Sequence, residues 1–393
     1  MNRQKVLAVF GTRPETIKLA PVIQALNTQH PALQAVTVLS GQHHELLHPF
    51  VSHFGLKVHY DLAVMAPQQT PTQVCTRILQ RLEPVLQQEQ PALLLVQGDT
   101  TTALAGALAA FYQRVPVGHV EAGLRTTDAY NPYPEEIHRR LITRLASYHF
   151  AATTLNRDTL RHEGVPEERI FVTGNPVVDT VRGILRAGQP SAAMQQLLDA
   201  TQGLKRLVLT THRRESFGAT LAGNLHVLRR FVAQHDDVCL LFPVHPNPQV
   251  RGPASAILGG QARISLLEPL EYADFIRLLA AAWLIVSDSG GVQEEAPSLG
   301  RPVLVIRETT ERQEAIDSGV ARLVSGGPAH LEQLLVATYR DGGWLQHVRE
   351  VPNPFGQGDS GARIANIIAC LLRKGGPDVS PQPAGCGPRM SSP

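Results

Sequence analysis

Short runs of β-branched and aliphatic residues alternate along the chain with longer stretches in which apolar positions recur every three to four residues. The runs at 5–10, 34–40, 92–97, 115–120, 148–151 and 170–172 predict strands, each apolar enough to be covered on both faces. Between them, Ile17, Leu19, Ala20, Ile23 and Leu26, and later Val74, Ile78, Leu82 and Leu86, share one face at helical spacing. Such alternation predicts βα units and a parallel sheet. The pattern pauses at 182–193, where Gly183, Gly188, Pro190 and Ser191 cluster. It restarts with predicted strands at 207–211, 238–244, 264–267, 283–288 and 302–306, and ends on an amphipathic helix at 362–372. Two doubly wound halves joined near 175–190 are expected, with no repeat relating their sequences. From Gly375 the chain turns to Gly, Pro and Ser, so 375–393 reads as a disordered tail.

Composition narrows the function classes. The 393 residues suit two to three domains at roughly 150 residues each. With 36 Lys+Arg against 34 Asp+Glu the formal net charge is +2, which offers no broad field for nucleic acid. The longest apolar run, 278–286, falls short of the ~20 residues that span a bilayer. Neither a signal-peptide apolar region nor a small-residue cleavage site follows Met1. Cys75, Cys239, Cys370 and Cys386 are scattered without a CxxC pair, so neither a zinc cluster nor a disulfide framework is expected and the cytoplasm is the natural setting.

In open α/β sheets ligands bind outside the carboxyl ends of strands, so the loops after the strands carry the candidates. The first predicted strand delivers Gly11-Thr12-Arg13-Pro14-Glu15 and, a turn later, Lys18. A glycine turn opening a helix, with Arg13 and Lys18 beside it, reads as a phosphate site or as a plain turn with two surface cations. Gly98-Asp99-Thr100 offers Asp99 as a helix N-cap or as a site carboxylate. Glu121 ends a buried strand, which packing does not explain, whereas Glu135 and Glu136 open a helix where the dipole alone would favour acids. In the second half, His212 stands beside Arg213 and Arg214, which push an imidazole toward neutrality unless an anion compensates. Ser289-Gly290-Gly291 precedes a helix and can cradle a diphosphate, with Glu295 one turn on for ribose hydroxyls. No Asp-x-Asp pair occurs for a metal–diphosphate clamp, and no G-x-G-x-x-G fingerprint follows the first strand to hold NAD. No metal and no cofactor are expected.

Taken in order, these loops resemble the non-hydrolysing UDP-N-acetylglucosamine 2-epimerase family. The resemblance rests on Phe10-Gly11-Thr12-Arg13-Pro14-Glu15, Gly98-Asp99-Thr100-Thr101-Thr102, His119-Val120-Glu121-Ala122-Gly123-Leu124-Arg125 and Pro134-Glu135-Glu136. It continues through His212-Arg213-Arg214-Glu215, Pro243-Val244-His245, the stretch from Asp288 to Pro297, and Thr309-Thr310-Glu311-Arg312. It implies two Rossmann-like domains facing across a cleft, the glycosyltransferase B arrangement: 1–175 joined by a C-terminal helix at about 360–374, and a UDP-binding 176–359. A homodimer and a UDP-sugar substrate are implied with it. So is reversible inversion at C2, through loss of UDP from C1, a glycal intermediate and re-addition, feeding bacterial surface polysaccharides.

By the same resemblance Asp99, Glu121, Glu135 and His212 are catalytic. Arg13, Lys18, Ser289, Gly290, Gly291, Glu295 and Arg312 hold UDP, with Phe275 and the Leu270 backbone near uracil. A second substrate molecule, as activator, would draw on Gln42, His43, Glu136, Arg213 and His245. Leu270 and Thr211 depart from the family's usual Gln and Gly, and His44 from its usual Arg. A 2-epimerase of a modified UDP-sugar and a UDP-sugar glycosyltransferase of the same fold are the alternatives. An acceptor-using transferase does not need three carboxylates around C1 and C2, and a mere sugar-nucleotide sensor could dispense with them.

Overall fold

The computed structural model describes residues 3–41, 50–66, 68–213 and 216–373, so Gln42, His43 and the segment 375–393 lie outside the described residues. The first half contains β1 (Gln4–Phe10), α1 (Arg13–Gln29), β2 (Leu33–Leu39), β3 (Tyr60–Asp61), α2 (Pro71–Glu89), β4 (Leu93–Gln97) and α3 (Thr101–Tyr112). It continues with β5 (Val117–Ala122), α4 (Glu135–Leu145), β6 (Tyr148–Ala151), α5 (Thr154–His162), β7 (Ile170–Val172) and α6 (Val177–Arg186). After α7 (Ala192–Ala200) come β8 (Lys205–Thr210), α8 (Ala219–Gln234), β9 (Val238–Pro243), α9 (Pro248–Leu258), β10 (Ile264–Leu267) and α10 (Tyr272–Ala280). The chain closes with β11 (Leu284–Ser287), α11 (Gly290–Leu299), β12 (Val303–Val305), α12 (Gln313–Asp317), β13 (Ala321–Leu323), α13 (Gly327–Arg340), α14 (Gly343–Glu350) and α15 (Ser360–Arg373).

The strands form two sheets, ordered β3-β2-β1-β4-β5-β6-β7 and β10-β9-β8-β11-β12-β13, and each pairing is parallel. Alternation along β1 explains why its strand is apolar throughout. Val6, Ala8 and Phe10 pack with Leu19, Ile23 and Leu26 of α1 and Ile364 and Ile368 of α15. Leu7 and Val9 face the other way, onto Ile78 and Leu82 of α2 and Ala103 and Ala107 of α3. In the second sheet Leu207 and Leu209 meet α8 and α13, while Val208 meets Val178 and Val181 of α6 and Ile276 of α10. Both sheets are therefore sandwiched by helices.

Three details differ from the sequence pattern. The pause expected from Arg182 is shorter, because α6 runs to Arg186. Val177, Val178, Val181 and Ile184 bury one helical face there, which outweighs the roughly 1 kcal/mol helix cost of a single Gly183. The edge strands β3 and β13 hold two and three residues, too few to show a period. The fifth strand starts two residues later than the predicted 115–120 and runs on through Glu121 to Ala122.

α15 returns to the first sheet. Gly361 lies so close to α1 that a Cβ there would sit 2.7 Å from the Pro21 carbonyl. Half-buried Asp179 accepts from the N–H groups of Ser360 (3.1 Å) and Gly361 (2.9 Å), so these two opening amides of α15 are satisfied within the protein.

The strand order fixes where function can sit. The strand order reverses its sense between β1 and β4 in one sheet and between β8 and β11 in the other, while the strands stay parallel. At these switch points adjacent loops diverge and leave a crevice. The loops that flank them include 11–12, 98–100, 211–213 and 288–289, which hold Asp99, His212 and Ser289 and lead into the helices that begin with Arg13 and Gly290.

Candidate active site

Glu15 braces the first crevice. Its buried carboxylate accepts from the Gly11 N–H (2.9 Å), the Thr12 N–H (2.7 Å) and hydroxyl (2.8 Å), and the Thr100 hydroxyl (2.6 Å), tying the loop after β1 to that after β4. Burial pushes its pKa up. Thr100 also caps α3 by accepting from Ala103 N–H. That leaves Asp99 outside the capping role: its carboxylate receives Arg139 of α4 at 2.7 Å, and its backbone oxygen pairs with His138 at 2.8 Å.

Glu121 sits where β5 slips register against β6. Its φ of +65° is a left-handed conformation that costs a non-glycine residue of order 1 kcal/mol, a kind of strain that clusters at functional sites. The carboxylate is nearly sealed from solvent. Oε1 lies 2.5 Å from Lys18 Nζ and 3.4 Å from the Asn175 amide, and Oε2 accepts from Gln97. Burial drives its pKa up to about 7, more than Lys18 and Arg312 can offset, and the charge of Glu294 adds to the rise.

Glu294, from α11 of the other sheet, shares the same lysine at 2.8 Å and takes Arg312 at 2.9 Å from both Nε and a terminal nitrogen. Burial would raise Glu294 as well, but Lys18 and Arg312 hold it well below the usual carboxylate range. Arg312 also pairs with Glu311 at 2.6 Å and stands 3.8 Å from Glu121. The two sheets thus meet through two buried carboxylates and two buried cations.

Glu135 opens α4, and its buried Oε2 has no hydrogen-bond partner among the described residues. Its neighbour Glu136 is fully engaged by the Thr126 N–H (2.9 Å), Arg139 (3.3 Å) and Arg140 (2.8 Å). Glu136 therefore anchors the 126 loop.

On the second sheet, Asp288 at the end of β11 is fully buried. It accepts from the Thr211 hydroxyl (2.6 Å) and from the N–H groups of His212 (3.1 Å) and Arg213 (3.1 Å). His212 Nδ1 lies 3.4 Å from Asp288, and its ring stacks on His245 at 5.9 Å. Burial is the main cause that lowers the His212 pKa. Arg213, His245 and Arg13 act the same way, and Asp288 opposes them. The shift runs in the direction expected from a neighbouring arginine, but desolvation is its larger cause.

Ser289 occupies the N-cap position of α11, yet its side chain makes no capping bond. A Cβ on Gly290 would come within 3.0 Å of the Arg312 guanidinium, which explains the glycine; Gly291 is less confined. Glu295 is buried, raised by that burial, and accepts from Tyr272 at 2.7 Å. Arg13 is exposed and lies 5.6 Å from the Phe50 ring centre. Phe50 in turn meets Tyr272. Leu270 and Phe275 pack beside Tyr272 and Ile276.

The geometry therefore brings Lys18, Glu121 and Arg312 into one cluster, and places Gly290 against that cluster. His212 is set beside Asp288 and His245. Asp99 and Glu135 form a third group through α4. Glu15, Glu294 and Asp288 organise all three, although only their motifs had been visible in the sequence. Among the described residues no group of three or more His, Cys, Asp or Glu is placed to hold a metal ion, and no helix is long and apolar enough to cross a membrane.

Two doubly wound parallel sheets, with loop clusters at both switch points and a charged junction between them, define an α/β enzyme of the glycosyltransferase B type. The family model for UDP-N-acetylglucosamine 2-epimerase matches residues 25–369, and the chain belongs to that family and is an epimerase. A UDP-N-acetylglucosamine 2-epimerase of Salmonella typhimurium is 46% identical over 369 residues, covering 93% of this chain and 98% of the relative. The structure of UDP-GlcNAc 2-epimerase from Neisseria meningitidis bound to UDP-GlcNAc is similar at a TM-score of 0.87 and 38% identity, covering 94% of this chain and 100% of that one. The S. aureus MnaA–UDP co-structure gives 0.87 and 39%, covering 94% and 97%.

Proposed function

We propose that this protein interconverts UDP-N-acetylglucosamine and UDP-N-acetylmannosamine by elimination and re-addition of UDP. The C2 hydrogen of the sugar is not acidic, so inversion there needs transient oxidation or cleavage of the anomeric bond. In the cleavage route the C1–O bond breaks with its electron pair leaving on UDP, and a base takes the C2 proton. A C1=C2 glycal remains in the crevice. UDP then re-adds at C1 while an acid delivers a proton to the other face of C2. The route needs two proton-transfer groups and stabilisation of positive charge at C1.

The observation that carries this reading is Glu121. A buried carboxyl held near neutrality can give and take a proton at physiological pH. Glu135, whose buried Oε2 has no hydrogen-bond partner among the described residues, is the second proton-transfer group. Asp99, paired with Arg139, stabilises C1. His212 meets the leaving oxygen. Ser289, Gly290 and Gly291 receive the diphosphate on the α11 N-terminus together with Arg13. Lys18 and Arg312 add their charge from behind it, and Glu295 takes the ribose. Leu270 and Phe275 flank the uracil.

The working unit would be two domains, 1–175 with the helix at about 360–374 and 176–359, in a cytoplasmic homodimer that supplies surface-polysaccharide precursors. Support for the dimer, the compartment and the pathway is the family resemblance alone. Asp99→Asn, Glu121→Gln and Glu135→Gln should each lower turnover by orders of magnitude, since each removes roughly 2–4 kcal/mol of transition-state stabilisation, while UDP binding by calorimetry persists. Near-normal turnover in all three would overturn the site assignment.

A further inference from the structure

Within the proposed reaction Glu121 must cycle between its protonated and ionised forms, and the surrounding geometry raises the question of what keeps it from being locked as a carboxylate. Two buried cations stand beside it. Left alone with Lys18 at 2.5 Å and Arg312 at 3.8 Å, a carboxylate would stay ionised far below neutral pH.

We infer that Glu294 is a positioning residue for the reaction: by taking up Arg312 and sharing Lys18 from the opposite domain, it leaves Glu121 as the carboxyl of the pair that carries the mobile proton. The inference rests on the reading of Glu121 as a proton-transfer group.

The asymmetry lies in the partners. Each Glu294 oxygen has a cation: Arg312 reaches Oε1 with two nitrogens at 2.9 Å, and Lys18 lies 2.8 Å from Oε2 as an ion pair without a hydrogen bond. Glu121 has only the shared lysine at short range, and its other oxygen rests on the neutral Gln97 amide. When the two carboxyls compete for one negative charge, Glu294 wins it. Its charge then makes a second charge on Glu121 costly, as in any close carboxylate pair.

The remaining charged groups nearby do not upset this order. Glu311 sits on the far side of Arg312, where Arg307 and Arg213 also hold it. Glu295 is raised by burial and bonded to Tyr272. Asn175, the other group near Glu121, is neutral. Because Glu294 lies on α11 and Lys18 on α1, the arrangement exists only when the domains are together.

The test is Glu294→Gln, which keeps shape and hydrogen bonding but removes the charge. Lys18 and Arg312 then have Glu121 as their nearest carboxylate, and its titration falls. One limb of the pH profile of kcat should move to lower pH by a unit or more, with the other unmoved, and Glu294→Asp should restore it. A merely structural role would lower kcat or thermal stability and leave the limb in place, which would overturn the inference.

Infrared spectra give a readout apart from activity. A protonated buried carboxyl, identified as the band missing in Glu121→Gln, should be present in the wild type near pH 6 and lost in Glu294→Gln. If Glu294→Gln does not fold, the wild-type spectrum still decides, because absence of that band overturns the inference. A wild type without epimerase activity, but with the band, would instead reject the proposed function and leave the charge ordering standing.

Discussion

Asp288→Asn tests whether a residue that touches no reacting atom in the proposed scheme sets the geometry of one that does. In the wild type, Oδ2 receives the Thr211 hydroxyl at 2.6 Å and two backbone N–H groups at 3.1 Å, and Oδ1 faces the His212 N–H at 3.2 Å and Nδ1 at 3.4 Å. An asparagine has one acceptor oxygen. In its better orientation it keeps Thr211 and Arg213 as neutral bonds and turns an NH2 toward the His212 backbone N–H. Bonds to a charged acceptor contribute about 1.5–3 kcal/mol each, and neutral ones about 0.5–1.5. Three weakened donors in a fully buried site therefore amount to roughly 2–4 kcal/mol. If the loop is less well held in the transition state by that amount, turnover falls roughly 30- to 1,000-fold at 1.36 kcal/mol per tenfold.

The assay is steady-state epimerisation by Asp288→Asn, His212→Asn and the double variant. If Asp288 acts through His212, adding Asp288→Asn to His212→Asn should cost far less than it costs alone. Asp288→Asn turnover within threefold of wild type, or additive losses in the double variant, would show that Asp288 does not act through His212.

Gly290→Ala would press a methyl within 3.0 Å of a guanidinium that Glu294 and Glu311 pin in place. It should cost about 1–3 kcal/mol of stability and weaken UDP binding; an unchanged melting temperature and affinity would contradict the packing. His149 pairs in register with His119 across β5 and β6, and burial lowers it from 6.5 to about 3, with His119 lowered to about 4. The unfolded chain takes up a proton below pH 6.5 that folded His149 refuses, so this group costs nothing above its unfolded pKa and destabilises progressively as pH falls toward its folded one. His149→Asn should remove roughly 2 kcal/mol of the stability lost between pH 6.5 and about 5, read from denaturant melts at both pH values. An equal loss in variant and wild type would rule out His149 as the cause.

The alternation of apolar runs and helical spacing sufficed to place both sheets, because parallel strands buried on both faces advertise themselves. It did not show β3 or β13, which are too short to carry a period, and it stopped too early, at Arg182, where packing by Val177, Val181 and Ile184 sustains the helix to Arg186. Of the site, the residues next to strand ends were legible because ligand-facing loops concentrate glycine, acids and arginines. Their organisers were not. Glu294 and Asp288 appear in the sequence as ordinary acids within a motif, and only the approach of α11 to α1 shows that Glu294 faces Lys18. Asp99 reads in the sequence as a cap or as a site carboxylate, and the structure gives the cap to Thr100 instead. Which carboxyl stays ionised is likewise a matter of burial and partners, which spacing does not encode.

Inversion at C2 through proton loss is tested by a proton NMR time course of the purified protein with UDP-N-acetylglucosamine in D2O. UDP-N-acetylmannosamine should appear carrying deuterium at C2, and solvent deuterium should also enter the recovered starting material as the reaction reverses. Product that retains its C2 hydrogen would contradict elimination and re-addition, and release of free N-acetylmannosamine with UDP would show a hydrolysing enzyme instead.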